Sequence, residues 1–382
     1  MRTLTATRRT TTSPIGLDIG ATGARAVQLL RSGRNWTVVS AVQWPLRRSD
    51  DRDDALAGLQ ERFGRALRED LFVGRAVVVG LSQPDVELHA LELPDATGSQ
   101  GDPTQIESAA RWEIERLCRF EEGATQTAHW RLPRGRGTQS TALGVAVQKD
   151  TVQSIWNLCR RAGADCQRID ATACALSRAG TLLRPPNQDE VWGVLDVGAR
   201  AVRLILCVDQ VPVVARSLDG GGVRWTQKIV EALGVGTESA ELHKCDHGLR
   251  PVVRDASPAS VPGPAAATDR GPLAELAGMI SKALRSELDR LIGEVERSYE
   301  YVLQCYSGRQ AADLILTGGG AALKNLDVYL GDRLGIPVRI ADAYLEEEGT
   351  KLTGGPEAGG RRQSLAPYLG AIGLAIDPEG EP

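Results

Sequence analysis

Hydrophobic positions along the chain fall into short alternating runs, separated by segments in which apolar residues return at helical spacing. From Ile15 to Trp44 the order is IGLDIG, a turn, AVQLL, a turn through Gly33 and WTVVSAVQW, which predicts three short strands joined by tight hairpins. Residues 53–70 carry Leu56, Leu59, Phe63 and Leu67 on one helical face. AVVVGL at 76–81 then reads as a buried strand, so the opening unit is an α/β lobe rather than a sandwich. Residues 84–166 change character. VELHALEL alternates as a strand, a helix runs from Thr104 through Leu117, strands near 126–132 and 140–147 flank RGRGT, and TVQSIWNLCRRAG closes the block as a helix. This predicts a compact α+β insert.

After the strand CQRID and the helix ATACALSRAGTLL, residues from 191 repeat the opening design. Aligning GLDIGATGARAVQLL with GVLDVGARAVRLIL superposes Asp18 on Asp196 and Gly20 on Gly198, a period near 178 residues that implies a duplicated lobe and not a solenoid. A helix, WTQKIVEALG, follows Gly220–Gly222. The Pro/Ala-rich stretch 251–272 reads as a flexible linker. Residues 273–306 form one long helix whose stripe is Leu276, Ile280, Leu284, Leu288, Leu291 and Val295, packed on the second lobe. DLILTGGGAAL at 313–323 is a strand, a triple glycine and a helix start; GIPVRIADAY is a short strand; LAPYLGAIGLAI at 365–376 is a small-residue helix. The expected organisation is a disordered tail at 1–14, a first-lobe core at 15–83, 167–190 and 365–382, the insert at 84–166, a second-lobe core at 191–234 and 308–345, its smaller subdomain at 235–307, and a polar loop at 346–364.

Composition narrows the chemistry. The 382 residues carry 45 Lys+Arg against 49 Asp+Glu, a net charge of −4, so there is no global basic field and a dedicated nucleic-acid binder is excluded. Seven cysteines, odd in number and without a CxxC, suit a reducing compartment. The opening MRTLTATRRTTTSP lacks an apolar signal core, and no apolar run approaches a membrane span, so a soluble cytoplasmic protein is expected. The unusual figure is 42 glycines, and several stand where strands end. Glycine after a strand lets backbone N–H groups close on phosphate oxygens, and an aspartate at the strand end can hold Mg²⁺, usually through water. Thr22 adds a hydroxyl and Arg25 a positive charge to the first such turn. Gly318, Gly319 and Gly320 admit close approach of a purine or ribose. HKCDH places His243 and His247 on one helix face, but no companion ligand cluster stands nearby. RLPRGRG at 131–137 reads as a solvated hairpin tip, and Trp112 and Trp130 in the insert could pack inward or receive a peptide.

Three such loops, in order and straddling a duplication, resemble the actin-like ATPase superfamily, a ribonuclease H-like two-lobe α/β fold: 16–27 its first phosphate loop, 193–204 its second and 315–323 its adenosine motif. The insert follows AVVVGL, as in FtsA, where subdomain 1C replaces the 1B of actin. LELP at 91–94, RWEIERLCRFEEG at 111–123, RRAGADCQRIDATACALSRAG at 160–180, EVERSYEYV at 294–302 and ILTGGGAALKNLDVYLGDRLGIPVRIAD at 315–342 resemble the PilM family of type IV pilus assembly, a likeness running from Ile15 to Ile376.

The resemblance implies ATP with Mg²⁺. Asp18 and Asp196 would hold the metal. Gly20, Ala21, Thr22, Gly23 and Arg25, with Gly198, Gly220, Gly221 and Gly222, would meet phosphates. Gly318, Gly319, Gly320 and Lys324 would flank adenosine beside Glu294 and Arg297, and Asp170 would be a catalytic, metal- or water-positioning carboxylate. It further implies a scaffold at the inner face of the inner membrane that binds the cytoplasmic N-terminal peptide of a PilN-like protein, with pilus ATPases and self-association as further contacts. Two departures stand out. ATGAR carries one hydroxyl and GARAV none, and each lost donor costs about 1 kcal/mol of phosphate binding, which argues for a slow ATPase at most. The open alternatives are an adaptor with a vestigial nucleotide site, like GspL of type II secretion, and a small-molecule kinase. A membrane-bound filament former would need a terminal amphipathic helix, which neither AIDPEGEP nor the Thr/Arg tail supplies.

Overall fold

The structure, a computed structural model, describes residues 10–46, 52–93, 103–121, 123–135, 141–185, 187, 189–250, 272–358 and 361–376. The first strands are β1 (Thr10–Thr12), β2 (Ile15–Ile19), β3 (Gly23–Ser32) and β4 (Asn35–Pro45), followed by α1 (Arg52–Arg68) and β5 (Ala76–Leu81). Next come β6 (Val86–Leu91), α2 (Pro103–Leu117), β7 (Thr125–Arg131), β8 (Ala142–Gln148), α3 (Lys149–Ala162), β9 (Asp165–Ala171) and α4 (Thr172–Leu183). The chain then repeats with β10 (Glu190–Val197), β11 (Ala201–Val208), β12 (Val211–Asp219), α5 (Gly222–Leu233), α6 (Thr237–His247) and α7 (Pro272–Cys305). It ends with β13 (Gln310–Thr317), α8 (Leu326–Leu334), β14 (Val338–Ile340), β15 (Leu352–Thr353), β16 (Glu357–Ala358), β17 (Arg361–Arg362) and α9 (Leu369–Ala375).

The duplication is explicit in the strand pairing. The first sheet runs β15-β4-β3-β2-β5-β9 and the second β12-β11-β10-β13-β14. In each, a central strand pairs antiparallel with the two-strand meander that follows it, and parallel with the strand after the first helical crossover. A separate antiparallel sheet, β6-β8-β7, covers α2, whose Ala110 and Ile114 bury against Leu91, Ala142 and Ala146.

Packing follows the patterns that predicted the elements. On α7, Ile280, Leu284, Leu288, Leu291 and Val295 are buried in one cluster with β10, β11 and β13, each contributing about 1.5–3 kcal/mol of apolar transfer. Helix α9 needs its small residues because it lies directly on backbone. A Cβ at Gly373 would fall 1.7 Å from the Ala175 carbonyl oxygen, and one at Gly16 would fall 2.0 Å from that of Ala371. No other residue permits this approach between α4, α9 and β2.

Several expectations are corrected. The tail expected to be disordered through residue 14 contributes β1, which pairs with Leu30, Arg31 and Ser32, and the Ser13 hydroxyl accepts from the Leu29 N–H. The polar loop 346–364 supplies β15, parallel to β4, because Leu352 is apolar and fully buried. The helix expected to open at the triple glycine is a single 3₁₀ turn, Gly319–Ala322, and α8 starts only at Leu326 after Asn325 takes a left-handed conformation. Helix α6 had no apolar stripe to announce it; only Ala240 and Lys244 on it are buried. Residues 251–271 of the proposed linker, and 136–140 near the RGRGT tip, lie outside the described residues.

Candidate functional site

Both Asp-Gly turns are built the same way. β2 turns into β3 with the Gly20 N–H donating to the Gly23 carbonyl at 2.9 Å, and Asp18 stands opposite Arg25 in the ladder. β10 turns into β11 with the Gly198 N–H donating to the Ala201 carbonyl at 3.0 Å, and Asp196 stands opposite Arg203. Each aspartate sits near the carboxyl end of its central strand, where α/β sheets leave a crevice. The two crevices face one another across a cleft of 1340 Å³.

Most of the residues expected from the sequence meet there. Asp18, Gly20, Ala21, Thr22, Gly23 and Arg25 line one wall; Asp196, Gly198 and Gly222 line the other, with Gly318, Gly319 and Gly320 between them. Gly220 and Gly221 do not line the cleft. Their φ angles of 134° and 108° instead deliver Gly222, whose N–H donates to the Gly198 carbonyl at 3.0 Å. Gly318 is held by close approach as well as by its φ of 82°, since a Cβ there would fall 2.2 Å from Asp196 Oδ1.

Four expected residues are placed elsewhere. Asp170, at the end of β9, is ion-paired to Arg178, with Arg168 Nε 3.7 Å away, and does not line the cleft. Glu294 and Arg297 pair with each other at 2.7 Å on α7, and Glu294 also meets Arg216 at 3.4 Å; neither reaches the cleft. Lys324 donates to the Asp246 carbonyl and lines a second cavity of 460 Å³ behind the Gly318 loop. Asp170, Glu294 and Arg297 are each held by a neighbour of opposite sign, and Lys324 by a backbone carbonyl, instead of in the cleft.

Two contributors were missed. Helix α6 brings Glu241, Lys244 and Cys245 to the cleft. Lys244 is 7% exposed and donates to the Gly222 carbonyl at 3.1 Å, to Thr226 Oγ1 at 2.8 Å and to Glu241 Oε2 at 2.7 Å. His243 and His247 stack 5.6 Å apart on the same helix, and among the described residues no group of three or more His, Cys, Asp or Glu could hold a metal. The other contributor is Arg203. Its signal was in the repeat, which carries Arg25 onto Arg203 as it carries Asp18 onto Asp196.

Charge in the cleft is dense and desolvated. Arg203 Nη2 lies 2.6 Å from Asp196 Oδ2. Burial pushes the Asp18 carboxyl above its usual range; Arg203 and Arg25 oppose that rise and Asp196 reinforces it. Burial works against the Arg203 charge, but Asp196 and Asp18 outweigh it and hold the guanidinium above its ordinary value. The Nε atoms of Arg25 and Arg203 are buried with no hydrogen-bond partner.

The cleft continues between the first sheet and the three-stranded sheet, where Leu46, Leu56, Leu81, Leu88, Leu117 and Ile155 give it an apolar floor. Glu87 and Arg119 pair at 2.9 Å at its rim. Burial alone would raise the Glu87 carboxyl, yet hydrogen bonds from the Arg119 backbone and guanidinium hold it below the usual range. Trp130, half-buried, donates from Nε1 to the Pro212 carbonyl at 2.9 Å, so it ties the three-stranded sheet to β12. Trp112 is 65% exposed on α2.

The chain matches the type IV pilus assembly protein PilM family over residues 16–253. It is similar to a chain of a solved PilM–PilN type IV pilus biogenesis complex, with a TM-score of 0.70 and 22% identity over 95% of this chain and 97% of that one. It is also similar to the ethanolamine utilization protein EutJ from Carboxydothermus hydrogenoformans, with a TM-score of 0.51 and 10% identity over 96% of this chain and 89% of that one. At these identities the likeness speaks for the fold.

Proposed function

The chain belongs to the PilM family of type IV pilus assembly proteins, and from that premise we propose a nucleotide-binding scaffold that holds a short peptide of a PilN-like inner-membrane protein. Its fold is the actin-like two-lobe α/β fold. The observation that carries the proposal is the single cleft, which runs from the paired Asp-Gly hairpins into an apolar groove beside the three-stranded sheet. One end suits a polyphosphate, because glycine-rich turns and two arginines line it, and glycine leaves room for an anion to approach the backbone closely. The other end suits an extended or helical segment with apolar side chains, with Glu87 and Arg119 at the rim for its polar groups.

The nucleotide proposed is ATP. Its phosphates would lie between the hairpins, and its ribose and base against Glu241, Lys244 and the Gly318–Gly320 loop. The magnesium implied by the family resemblance does not fit the carboxylates as they stand. Asp196 Oδ2 is closed by Arg203 at 2.6 Å, and Oδ1 lies against Gly318. With Asp170 paired to Arg178 outside the cleft, the site is suited to holding nucleotide more than to hydrolysing it. Among the described residues no helix is long and apolar enough to cross a membrane; the proposed partner would bring the chain to the cytoplasmic face of the inner membrane.

The test is a pull-down of the cytoplasmic N-terminal peptide of a PilN-like protein by the full chain, repeated across an ATP titration. Retention of the peptide, with an affinity that changes with nucleotide, is expected. Failure to retain it at any nucleotide concentration, together with phosphorylation of a small alcohol, would replace the scaffold with a kinase. Retention without any nucleotide uptake would leave a pure adaptor.

A further inference from the structure

We propose that the phosphate end of the cleft is neutralised by the chain's own guanidinium groups and takes a polyphosphate without a divalent cation, Arg203 standing where a metal would otherwise sit against Asp196. The proposal rests on the nucleotide reading above and concerns how that ligand is held. The repeat supplies an Asp and an Arg to each hairpin, facing each other across one antiparallel pair: Asp18 with Arg25 and Asp196 with Arg203.

The second pair is closed. Arg203 Nη2 stands 2.6 Å from Asp196 Oδ2, with side chains 19% and 8% exposed. The other carboxylate oxygen is covered by backbone, since a Cβ added to Gly318 would meet Oδ1 at 2.2 Å. Magnesium demands near-octahedral oxygen ligation and keeps several waters. A carboxylate with one oxygen in an ion pair and the other against a glycine offers it no direct vertex. The Asp18 carboxylate faces the backbone of α9, where a Cβ on Gly370 would lie 3.1 Å from its Oδ2.

The arginines have donors to spare. Arg25 lies between the lobes, its Nη1 3.9 Å from the Cβ position of Gly20 and its Nη2 3.9 Å from that of Gly319. The Nε atoms of Arg25 and Arg203 are buried without a partner. A planar guanidinium with free N–H groups matches phosphate oxygens in pairs. Lys244 is not available for this role, since its ammonium is committed to Gly222, Thr226 and Glu241.

The experiment measures ATP affinity of the full chain by calorimetry in EDTA and in excess Mg²⁺. The two dissociation constants are expected to agree within about threefold. Asp196→Asn discriminates further, because losing a metal ligand weakens binding, whereas releasing Arg203 from its ion pair leaves binding equal or tighter. Arg203→Gln is expected to weaken ATP about tenfold or more in both buffers. A thermal melt of each variant confirms folding, and the EDTA comparison on the unmodified chain needs no variant. Binding only with Mg²⁺ overturns this inference and leaves the nucleotide reading intact. Absence of binding in both buffers overturns the two together.

Discussion

Replacing Gly318 with alanine is the most direct probe of how the cleft is built. The residue has φ 82° and ψ 175°, a region essentially reserved for glycine, where an L side chain costs about 1–3 kcal/mol. The added Cβ would also fall 2.2 Å from Asp196 Oδ1 and 2.6 Å from the Val197 carbonyl oxygen. Both neighbours belong to β10, which is held on both sides by ladders, so the loop must move and not the strand. Overpacking of this kind costs about 1–3 kcal/mol, giving a total of about 2–6 kcal/mol. Gly335→Ala is the control: its φ of 67° and ψ of 15° are left-handed helical, and a Cβ there meets nothing within 4 Å, so only that backbone cost of about 1–2 kcal/mol applies. Thermal unfolding of the two variants should differ by several degrees, at roughly 2–4 °C per kcal/mol, and only Gly318→Ala should lose ATP affinity. Equal melting temperatures for the two variants would refute the steric argument. An unchanged affinity in Gly318→Ala would remove the loop from the binding site.

Three further outcomes are expected. Trp130→Phe removes the bond to the Pro212 carbonyl and should cost about 0.5–1.5 kcal/mol, seen as faster amide exchange in β7 and around residues 211–213. Leu284→Ala, in the buried stripe of α7, should lower stability by about 2–5 kcal/mol in denaturant unfolding, while a wild-type midpoint would detach α7 from the second-lobe core. Asp18→Asn should stabilise the ligand-free chain, and the gain should grow with pH. The folded carboxyl titrates above its unfolded value of 3.8, so its contribution is greatest below that value and is lost as pH rises through the folded one; a melting difference that shrinks between about pH 4 and pH 8 would reverse the assignment.

The strands were legible because their environments differ in pattern. AVVVGL, buried on both faces, reads as an unbroken apolar run, and VELHALEL reads as an alternation. The duplication was legible from GLDIGATGARAVQLL and GVLDVGARAVRLIL, whose alignment superposes Asp18 on Asp196 and Gly20 on Gly198. What the chain did not announce is set by tertiary contact. TESAELHKCDH has no apolar stripe; its buried residues are Ala240 and Lys244, and Lys244 reaches Gly222 and Thr226 on α5, contacts that no local spacing encodes. β15 is two residues long and exists because Leu352 fills the edge of β4. Asp170 looked available in RID, but Arg178, two turns into α4, claims its carboxylate. Arg203 was readable by extending the repeat seven residues beyond Asp196.

The charges in the cleft do not serve the stability of the empty protein. Asp18 is buried with its pKa raised, and two guanidinium Nε atoms lie buried without partners. Groups of this kind are unfavourable unless something completes their hydrogen bonds. They persist because rigid elements hold them: two ladders on each hairpin, and an α9 so closely packed that Gly16 and Gly373 admit no Cβ. Arg25 of the first lobe stands beside Gly319 of the second, so an anion that satisfies it must touch both lobes. Outside the cleft, Trp130 ties the three-stranded sheet to β12. The lobes are therefore bridged by a bond already made at Trp130, and the cleft between them holds unpartnered donors at Arg25 and Arg203. A polyphosphate that took up those donors would bear on both lobes, and the three-stranded sheet that walls the apolar groove is itself tied to the second lobe through Trp130. Under the proposed function, any effect of nucleotide on peptide affinity must be matched by an equal effect of peptide on nucleotide affinity.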